Sequence, residues 1–170
     1  MERFISARSK NDLLKLGLYQ IVGACFGLVL ILWLLSGKKT WTTPEVIMTF
    51  IGMLPFSFSI FTGYQCLKMK ERALTLSYIN QGIQLVGFNI LGFAFIYAPC
   101  IYVYFAVDLT ENLKFLVNAA IFGYRIDFHT QSRVIAININ LIALIAFVWL
   151  GKIDDRIKNE VEIMTDTRFL

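Results

Sequence analysis

The sequence contains few of the residues on which catalysis or metal binding usually depends. It has one histidine, His129, and its three cysteines, Cys25, Cys66 and Cys100, form no CxxC pair. One histidine without a cysteine pair cannot supply the common ligand sets of zinc. Nucleophile-elbow, phosphate-loop and zincin motifs are also absent. We therefore expect no catalytic residue, no metal and no cofactor, and we interpret the cysteines as small apolar packing residues.

Charge is scarce as well. The 170 residues are 57% hydrophobic and 16% charged. A soluble domain of this size has too much surface for its volume to bury so many apolar side chains, so the composition predicts one polytopic membrane domain over residues 1–170 with membrane lipids as partners. The net charge is only +4, and the basic residues are scattered. No basic face interleaved with aromatic residues is present, so we expect no nucleic-acid partner.

Four apolar stretches predict membrane-spanning helices over residues 16–36, 46–67, 76–98 and 134–151. Each is about long enough to cross the roughly 30 Å hydrocarbon core of a bilayer. The third stretch belongs to a longer uncharged run that Pro99 is expected to break, because the residue before a proline disfavours helix. The sequence thus predicts an all-α integral membrane protein with four transmembrane helices.

An outward-facing connection, residues 99–133, is predicted between the third and fourth helices. Residues 100–105 are rich in β-branched and aromatic side chains, which is typical of a strand or an extended interfacial segment. Residues 115–124 are apolar but too short to span, which predicts an interfacial or re-entrant helix. Polar and apolar residues alternate over 125–133, and this favours a strand with one polar face over a helix.

The connection contains a candidate outer polar cluster of Arg125, Asp127, His129 and Arg133. Two guanidinium groups are suited to hold a phosphate or a carboxylate, and His129 would then act as an acid or a base. The alternative interpretation is a network of ion pairs that positions the connection against lipid headgroups.

Uncharged polar residues lie inside the predicted spans, where they are costly. Asn80 and Gln84 fall on one helical face with Gly87, so that face should point into protein. Asn138 and Asn140 are two residues apart and should lie on different sides of the fourth helix. Hydrogen bonding between helices explains them, and a polar pathway or ligand pocket is the alternative. The predicted spans contain no charged residue and no histidine, which argues against a proton-coupled pump.

Two further features predict contacts between helices. Gly23 and Gly27 form a GxxxG element, which lets another helix backbone approach closely. The tail, residues 152–170, has the spacing of an amphipathic helix that docks on headgroups or on a partner. Its apolar positions are Ile153, Ile157, Val161 and Met164.

The distribution of Lys and Arg predicts the orientation of the chain. Most of the 16 basic residues lie in the N-terminal arm, the 68–72 turn and the tail. These three segments share one side of the predicted four-helix protein. The positive-inside rule therefore places both termini in the cytoplasm, and we take a bacterial inner membrane as the default location.

Three functions are compatible with these features. The leading hypothesis is a non-catalytic subunit or scaffold of a larger membrane assembly, which associates with other membrane subunits or with itself. The second is a homo-oligomeric channel or carrier for a small solute, suggested by Asn80, Gln84 and a kink expected at Pro55. The third is an enzyme that acts on a lipid or headgroup at the outer surface through His129.

Overall fold

A computed structural model describes residues 6–37, 39–40, 42–99, 101–110, 113–127 and 134–166. In these residues the chain forms four helices and one six-stranded antiparallel sheet. The helices are α1 (Ala7–Ser36), α2 (Thr43–Leu67), α3 (Ala73–Leu85) and α4 (Leu141–Asp166). The strands are β1 (Val86–Ile90), β2 (Phe93–Ala98), β3 (Tyr102–Asp108), β4 (Lys114–Ala120), β5 (Gly123–Asp127) and β6 (Ile135–Asn140).

The prediction of an all-α protein with four spans is wrong. Among the described residues, two helices are long and apolar enough to cross a membrane, over Ala7–Trp33 and Glu45–Leu67. The third predicted span, 76–98, is α3 followed by β1 and β2, and the fourth, 134–151, is β6 followed by the start of α4. In both stretches large and small residues alternate with the period of a strand. Mean hydropathy over the whole stretch does not detect this alternation.

The β1–β2 hairpin turns at Leu91 and Gly92, which have φ values of 49° and 90°. Positive φ at both central residues is the requirement of the type I′ turn, whose twist suits a two-residue hairpin. Gly92 adopts this conformation readily, whereas Leu91 does so at a cost. The usual Asn-Gly or Asp-Gly signal is missing here, so no hairpin was predicted from the sequence.

The predicted connection between the third and fourth spans is mostly sheet. The apolar piece at 115–124 forms β4 and the start of β5, so the predicted interfacial helix is wrong. Short apolar runs of this length fit a strand or a helix equally well by periodicity. The predicted strand at 100–105 corresponds to β3, and the strand predicted at 125–133 begins within β5. Residues 128–133 lie outside the described residues.

The helices pack side by side, with α1 along α2 and α3 between α2 and α4. Where α1 crosses α2, a Cβ added to Gly17 would lie 2.7 Å from the Gly63 carbonyl oxygen. The beginning of α1 meets the later turns of α4, where Arg156 Nη1 lies 2.7 Å from Asp12 Oδ2. Instead of forming a separate tail, α4 buries Ile153 and Ile157 in the core of its own chain.

The sheet has the strand order β4-β3-β6-β1-β2-β5, and it is strongly curled. Its two edge strands are joined by only Ile121 and Phe122. A flat sheet would hold these edges about 24 Å apart, at five spacings of about 4.8 Å, but the Cα atoms of Ala120 and Gly123 cannot be more than about 11 Å apart. Accordingly, a Cβ added to Gly123 would lie 2.6 Å from the ring of Tyr102 on β3.

The strand pairing divides the sheet side chains into two faces of different chemistry. Tyr102 and Gly123 meet across the concave face, which otherwise carries mostly small and polar residues. The convex face is apolar along its whole width apart from two tyrosine hydroxyls. Its residues are Val86, Phe88, Ile90, Phe93, Phe95, Tyr97, Val103, Phe105, Val107, Phe115, Val117, Ala119, Tyr124, Ile126, Ile135, Ile137 and Ile139.

Helix α2 covers one end of the convex face. The ring of Tyr97 packs edge-on against Phe56 with centroids 4.9 Å apart, and Tyr124 packs against the same ring. Gly52 makes room for this contact, because a Cβ there would overlap the Tyr124 ring. The sheet therefore lies beside the second half of α1 and the first half of α2.

Candidate functional site

A group of uncharged polar side chains is buried on α1, α2 and α3, and we call it the polar layer. Each member is at most 2% exposed, and none carries a charge. Its members are Gln20, Ser59, Thr62, Ser77, Asn80, Gln81 and Gln84. Buried polar groups normally find hydrogen-bond partners, so a set of this size in one place calls for an explanation.

Two apolar clusters enclose the polar layer. The first contains Leu16, Cys66 and Leu74, and the second contains Ala24 and Phe56. Along α1 and α2 the polar residues fall between members of the two clusters. On α1, for example, Gln20 follows Leu16 and precedes Ala24. The layer is thus closed by apolar side chains on both sides.

A short chain of hydrogen bonds joins three helices through the polar layer. Asn80 Nδ2 donates to Ser59 Oγ at 3.1 Å, and Ser59 Oγ donates to the backbone carbonyl of Gln20 at 3.2 Å. Other atoms of the layer have no hydrogen-bond partner in the described part of the chain. These atoms are Nε2 and Oε1 of Gln20, Oδ1 of Asn80, and Nε2 and Oε1 of Gln81.

The sequence indicated part of this layer. Asn80 and Gln84 were predicted to share a helical face, and in α3 both are buried together with Ser77 and Gln81. Spacings of three and four residues bring such side chains onto one side of a helix. Gln20 was missed, although it is a polar residue inside the first predicted span and the same criterion would have found it.

Asn138 and Asn140 do not join the polar layer, because they lie on β6 and not on a helix. Both project from the concave face of the sheet. The side chain of Asn140 caps α4, since its Oδ1 accepts hydrogen bonds from the backbone N–H groups of Ile142 at 3.1 Å and Ala143 at 3.4 Å. This role satisfies donors at the start of the helix.

The candidate outer polar cluster is described only in part. Arg125 lies exposed on β5, and Asp127 ends the same strand two residues later. His129 and Arg133 lie outside the described residues, so the predicted constellation stays a prediction. Among the described residues, no group of three or more His, Cys, Asp or Glu side chains is placed to hold a metal ion.

The GxxxG element lies at a contact between α1 and α2. Gly23 and Gly27 are both buried. A Cβ on Gly27 would come within 2.2 Å of the Phe56 ring, so this glycine accommodates an aromatic side chain. The close approach of one helix backbone to the other occurs instead at Gly17 and Gly63.

An apolar groove of about 700 Å³ lies between α2 and the convex face of the sheet. It is lined by Ile51, Leu54, Pro55, Phe58, Ile83, Phe88, Phe93, Ala94, Phe95 and Ile126. Beside it, Tyr97 Oη donates a hydrogen bond to the carbonyl of Pro55 at 2.9 Å. Burial raises the pKa of Tyr97, so this phenol stays protonated and remains a donor.

Edge strand β4 exposes apolar side chains on both of its faces. Phe115 and Val117, on the convex face, are 61% and 70% exposed, and Leu116 on the other face is 53% exposed. Among the described residues, β4 pairs only with β3, so its other backbone edge has no strand partner. The opposite edge strand, β5, carries the charges that commonly protect an exposed edge, whereas β4 has one, Lys114, at its first position.

Comparison with known proteins does not assign this chain to a family. No protein-family model, no curated protein and no solved structure matches the chain. The features available for a functional proposal are therefore those of the molecule itself. They are two helices suited to a membrane, an enclosed polar layer, and a curled sheet with an exposed apolar face and edge.

Proposed function

We propose that this protein is a non-catalytic subunit of a membrane assembly, held in the bilayer by α1 and α2 and joined to a partner protein through its sheet. The observation that carries the proposal is the exposure of the convex apolar face from β1 to β4. Val86, Ile137, Ile139 and Val117 on this face are all exposed. Exposed apolar surface of this extent commonly marks a site of interaction with protein or membrane.

The outer edge of β4 has no strand partner in the described part of the chain, and this favours a protein partner over lipid. Phe122, next to β5, packs beside Gly27, so the sheet lies next to a helix that is apolar enough to span a bilayer. Hydrocarbon cannot hydrogen-bond the backbone groups of an open strand edge, and each unsatisfied group costs several kcal/mol there. Water would satisfy the edge but would leave Phe115 and Val117 exposed. A partner strand or loop satisfies both requirements.

The two other functions considered are less well supported. A channel or carrier needs a continuous polar path, but apolar clusters that contain Leu16 and Phe56 enclose the polar layer on both sides. An enzyme at the outer surface depends on His129 and Arg133, which lie outside the described residues. The subunit proposal depends on described residues alone.

We further propose that both ends of the chain face the cytoplasm of a bacterial cell. Glu160 of α4 accepts a hydrogen bond from the Ser6 backbone at 2.9 Å, so the start of α1 and the end of α4 lie at the same end of the protein. The loop between α2 and α3 carries Lys68, Lys70 and Arg72 at this end. The positive-inside rule favours the cytoplasmic side for such a cluster.

Site-specific photocrosslinking in the native membrane tests the docking surface. A photoreactive amino acid is placed at Val117 or Ile139 on the convex face, and at Trp33 or Phe50 on the candidate spanning helices as controls, since all four are exposed. We expect protein adducts of one discrete mass from Val117 and Ile139, and mainly lipid adducts from Trp33 and Phe50. Lipid adducts alone from all four positions would contradict the proposal.

A matched pair of substitutions tests which face binds. Val117→Lys places a charge on the convex face of β4, whereas Asn118→Lys places it on the concave face of the same strand. We expect Val117→Lys to weaken the complex about tenfold or more, equivalent to about 1.4 kcal/mol, and Asn118→Lys to leave it nearly unchanged. Equal loss in both variants would show that strand stability, not the convex face, was affected.

A further inference from the structure

We propose that the polar layer is a binding site for small uncharged molecules that both donate and accept hydrogen bonds, of which water is the smallest. This inference is independent of the proposed docking function. It rests on the side chains of Gln20, Asn80 and Gln81, which are 0–1% exposed. Together they present five nitrogen and oxygen atoms without a hydrogen-bond partner in the described part of the chain.

The burial of these atoms is the first step. A buried amide without a hydrogen bond loses its contacts with water and gains nothing in return. Native proteins leave few such groups, and enclosed polar groups are commonly bridged by ordered water. Several unpaired amide atoms in one enclosed layer therefore indicate a guest molecule that bonds to them.

The chemistry of the atoms defines the guest. Nε2 of Gln20 and of Gln81 are donors, whereas the two Oε1 atoms and Asn80 Oδ1 are acceptors. A cation would satisfy only the acceptors and an anion only the donors. Exchanging the nitrogen and oxygen of either glutamine leaves this balance unchanged. A neutral molecule with both donor and acceptor groups matches the set.

The position of the site gives the guest a structural role. Gln20 lies on α1, and Asn80 and Gln81 lie on α3. Ser59 of α2 already bonds to the Gln20 backbone and to the Asn80 side chain, so these two residues meet at one hydroxyl. A molecule bound to the remaining amide atoms would extend this link between α1 and α3, which otherwise pack mainly on other helices.

Thermal unfolding of the full chain in nanodiscs tests the proposal through the direction in which substitutions shift the unfolding midpoint. In an occupied site, Gln20→Leu or Gln81→Leu removes bonds to the guest, and we expect the midpoint to fall by several degrees. In a dry layer, the same replacements remove unpaired amides, and the midpoint would rise. Gln65→Leu makes the same replacement at a partly exposed position of α2 and controls for the change of residue. A rise in both layer variants would overturn the proposal.

A second measurement does not depend on stability. Side-chain amides of selectively labelled glutamines are examined by NMR for magnetisation transfer from water. We expect cross-peaks to Gln20 and Gln81 that are assigned by their loss in the leucine variants. Alternatively, acetamide as a neutral probe should raise the unfolding midpoint of the wild type but not of the double variant, if the guest is a solute.

The two readouts distinguish the sources of the guest. Water cross-peaks without an effect of acetamide would identify resident water. An effect of acetamide would identify an exchangeable uncharged solute. Either result supports the proposal. A midpoint that rises with sodium chloride but not with choline chloride would identify a cation site and overturn it. The absence of both water contact and an acetamide effect would also overturn it.

Discussion

The helical part and the sheet part of this protein both turn apolar side chains outward, but with different consequences. On α1, Val22 and Val29 are exposed while Gln20 is buried. On the sheet, Ile137 and Val117 are exposed while Tyr104 is buried on the concave face. A helix satisfies its backbone hydrogen bonds internally and can present such a surface to lipid. A sheet with an open edge cannot, and for this reason we propose a protein partner for the exposed face of the sheet.

The two parts also differ in how they are held together. The helices approach closely at glycines and share buried amides, whereas the sheet is joined to α2 by aromatic rings around Phe56 and the hydroxyl of Tyr97. Substitutions at each kind of contact should therefore have separable effects. The following predictions test this difference, beginning with the largest expected effect.

The largest effect is expected where α1 meets α2. A Cβ added to Gly17 or Gly63 would lie 2.7 or 2.6 Å from the carbonyl oxygen of the other glycine. Gly17→Ala and Gly63→Ala must push the helices apart, and we expect each to lower the free energy of unfolding by about 1–3 kcal/mol. Chemical unfolding in detergent micelles, followed by tryptophan fluorescence, measures the change.

Gly82→Ala is the control for this pair. Nothing lies within 4 Å of a Cβ added there. Because alanine favours helix over glycine, this variant should be neutral or more stable by up to about 1 kcal/mol. If Gly17→Ala behaves like Gly82→Ala, the close contact between α1 and α2 is not required for stability.

A medium effect is expected where the sheet meets α2. Tyr97→Phe removes the hydrogen bond to the Pro55 carbonyl, and we expect a loss of about 1 kcal/mol. The hydroxyl of Tyr104 is buried without a partner in the described residues, so Tyr104→Phe should be neutral or stabilising. Denaturant unfolding of both variants gives the comparison. Equal losses in the two variants would mean that the hydrogen bond to Pro55 contributes no more to stability than a buried hydroxyl without a partner.

The smallest effect is expected where α1 meets α4. Burial alone would raise the pKa of Glu160, but hydrogen bonds from Ser6 and Ser9 outweigh it and hold the pKa below its ordinary value. The carboxylate is therefore favoured in the folded state. The stability that it contributes is present above the ordinary glutamate pKa of about 4.3 and is lost as the pH falls through the lower folded value.

Glu160→Gln should reduce this pH dependence and cost about 0.5 kcal/mol at neutral pH, because the carboxylate is only partly buried. Hydrogen exchange of the first turns of α1, measured at pH 7 and pH 4, reports the change locally. Asp154→Asn provides a control, because its bond to Lys158 is an exposed pair four residues along the same helix and should contribute about 0.3–0.5 kcal/mol. An unchanged pH dependence in Glu160→Gln would contradict the assignment.

The sequence predicted the helical part better than the sheet part for a physical reason. Residues 16–36 and 46–67 lie within α1 and α2, because a long uncharged run has few alternatives to a helix. The sequence of β6, Ile-Ala-Ile-Asn-Ile-Asn, alternates in the manner of a strand. An average over a longer window includes the apolar start of α4 and turns the whole into an apparent span.

The candidate site was predictable to a similar extent. Asn80 and Gln84 were placed on one face by helical spacing, which is a local property. The meeting of Gln20 with α3 depends on how α1 packs against α2, and the capping role of Asn140 depends on where β6 ends. Neither depends on local sequence alone, so spacing could not reveal them.

The strand order also determines how late in synthesis the sheet can be completed. Among the described residues, β6 is the last strand to be made, yet it lies between β3 and β1 and alone joins the β4-β3 pair to the β1-β2-β5 group. At about 5–20 residues per second, the ribosome needs on the order of several seconds to proceed from β1 to β6. During this interval β1 and β3 each keep an unpaired edge. A nascent chain of this protein would need the membrane, a chaperone or the proposed partner to shield those edges until β6 is made.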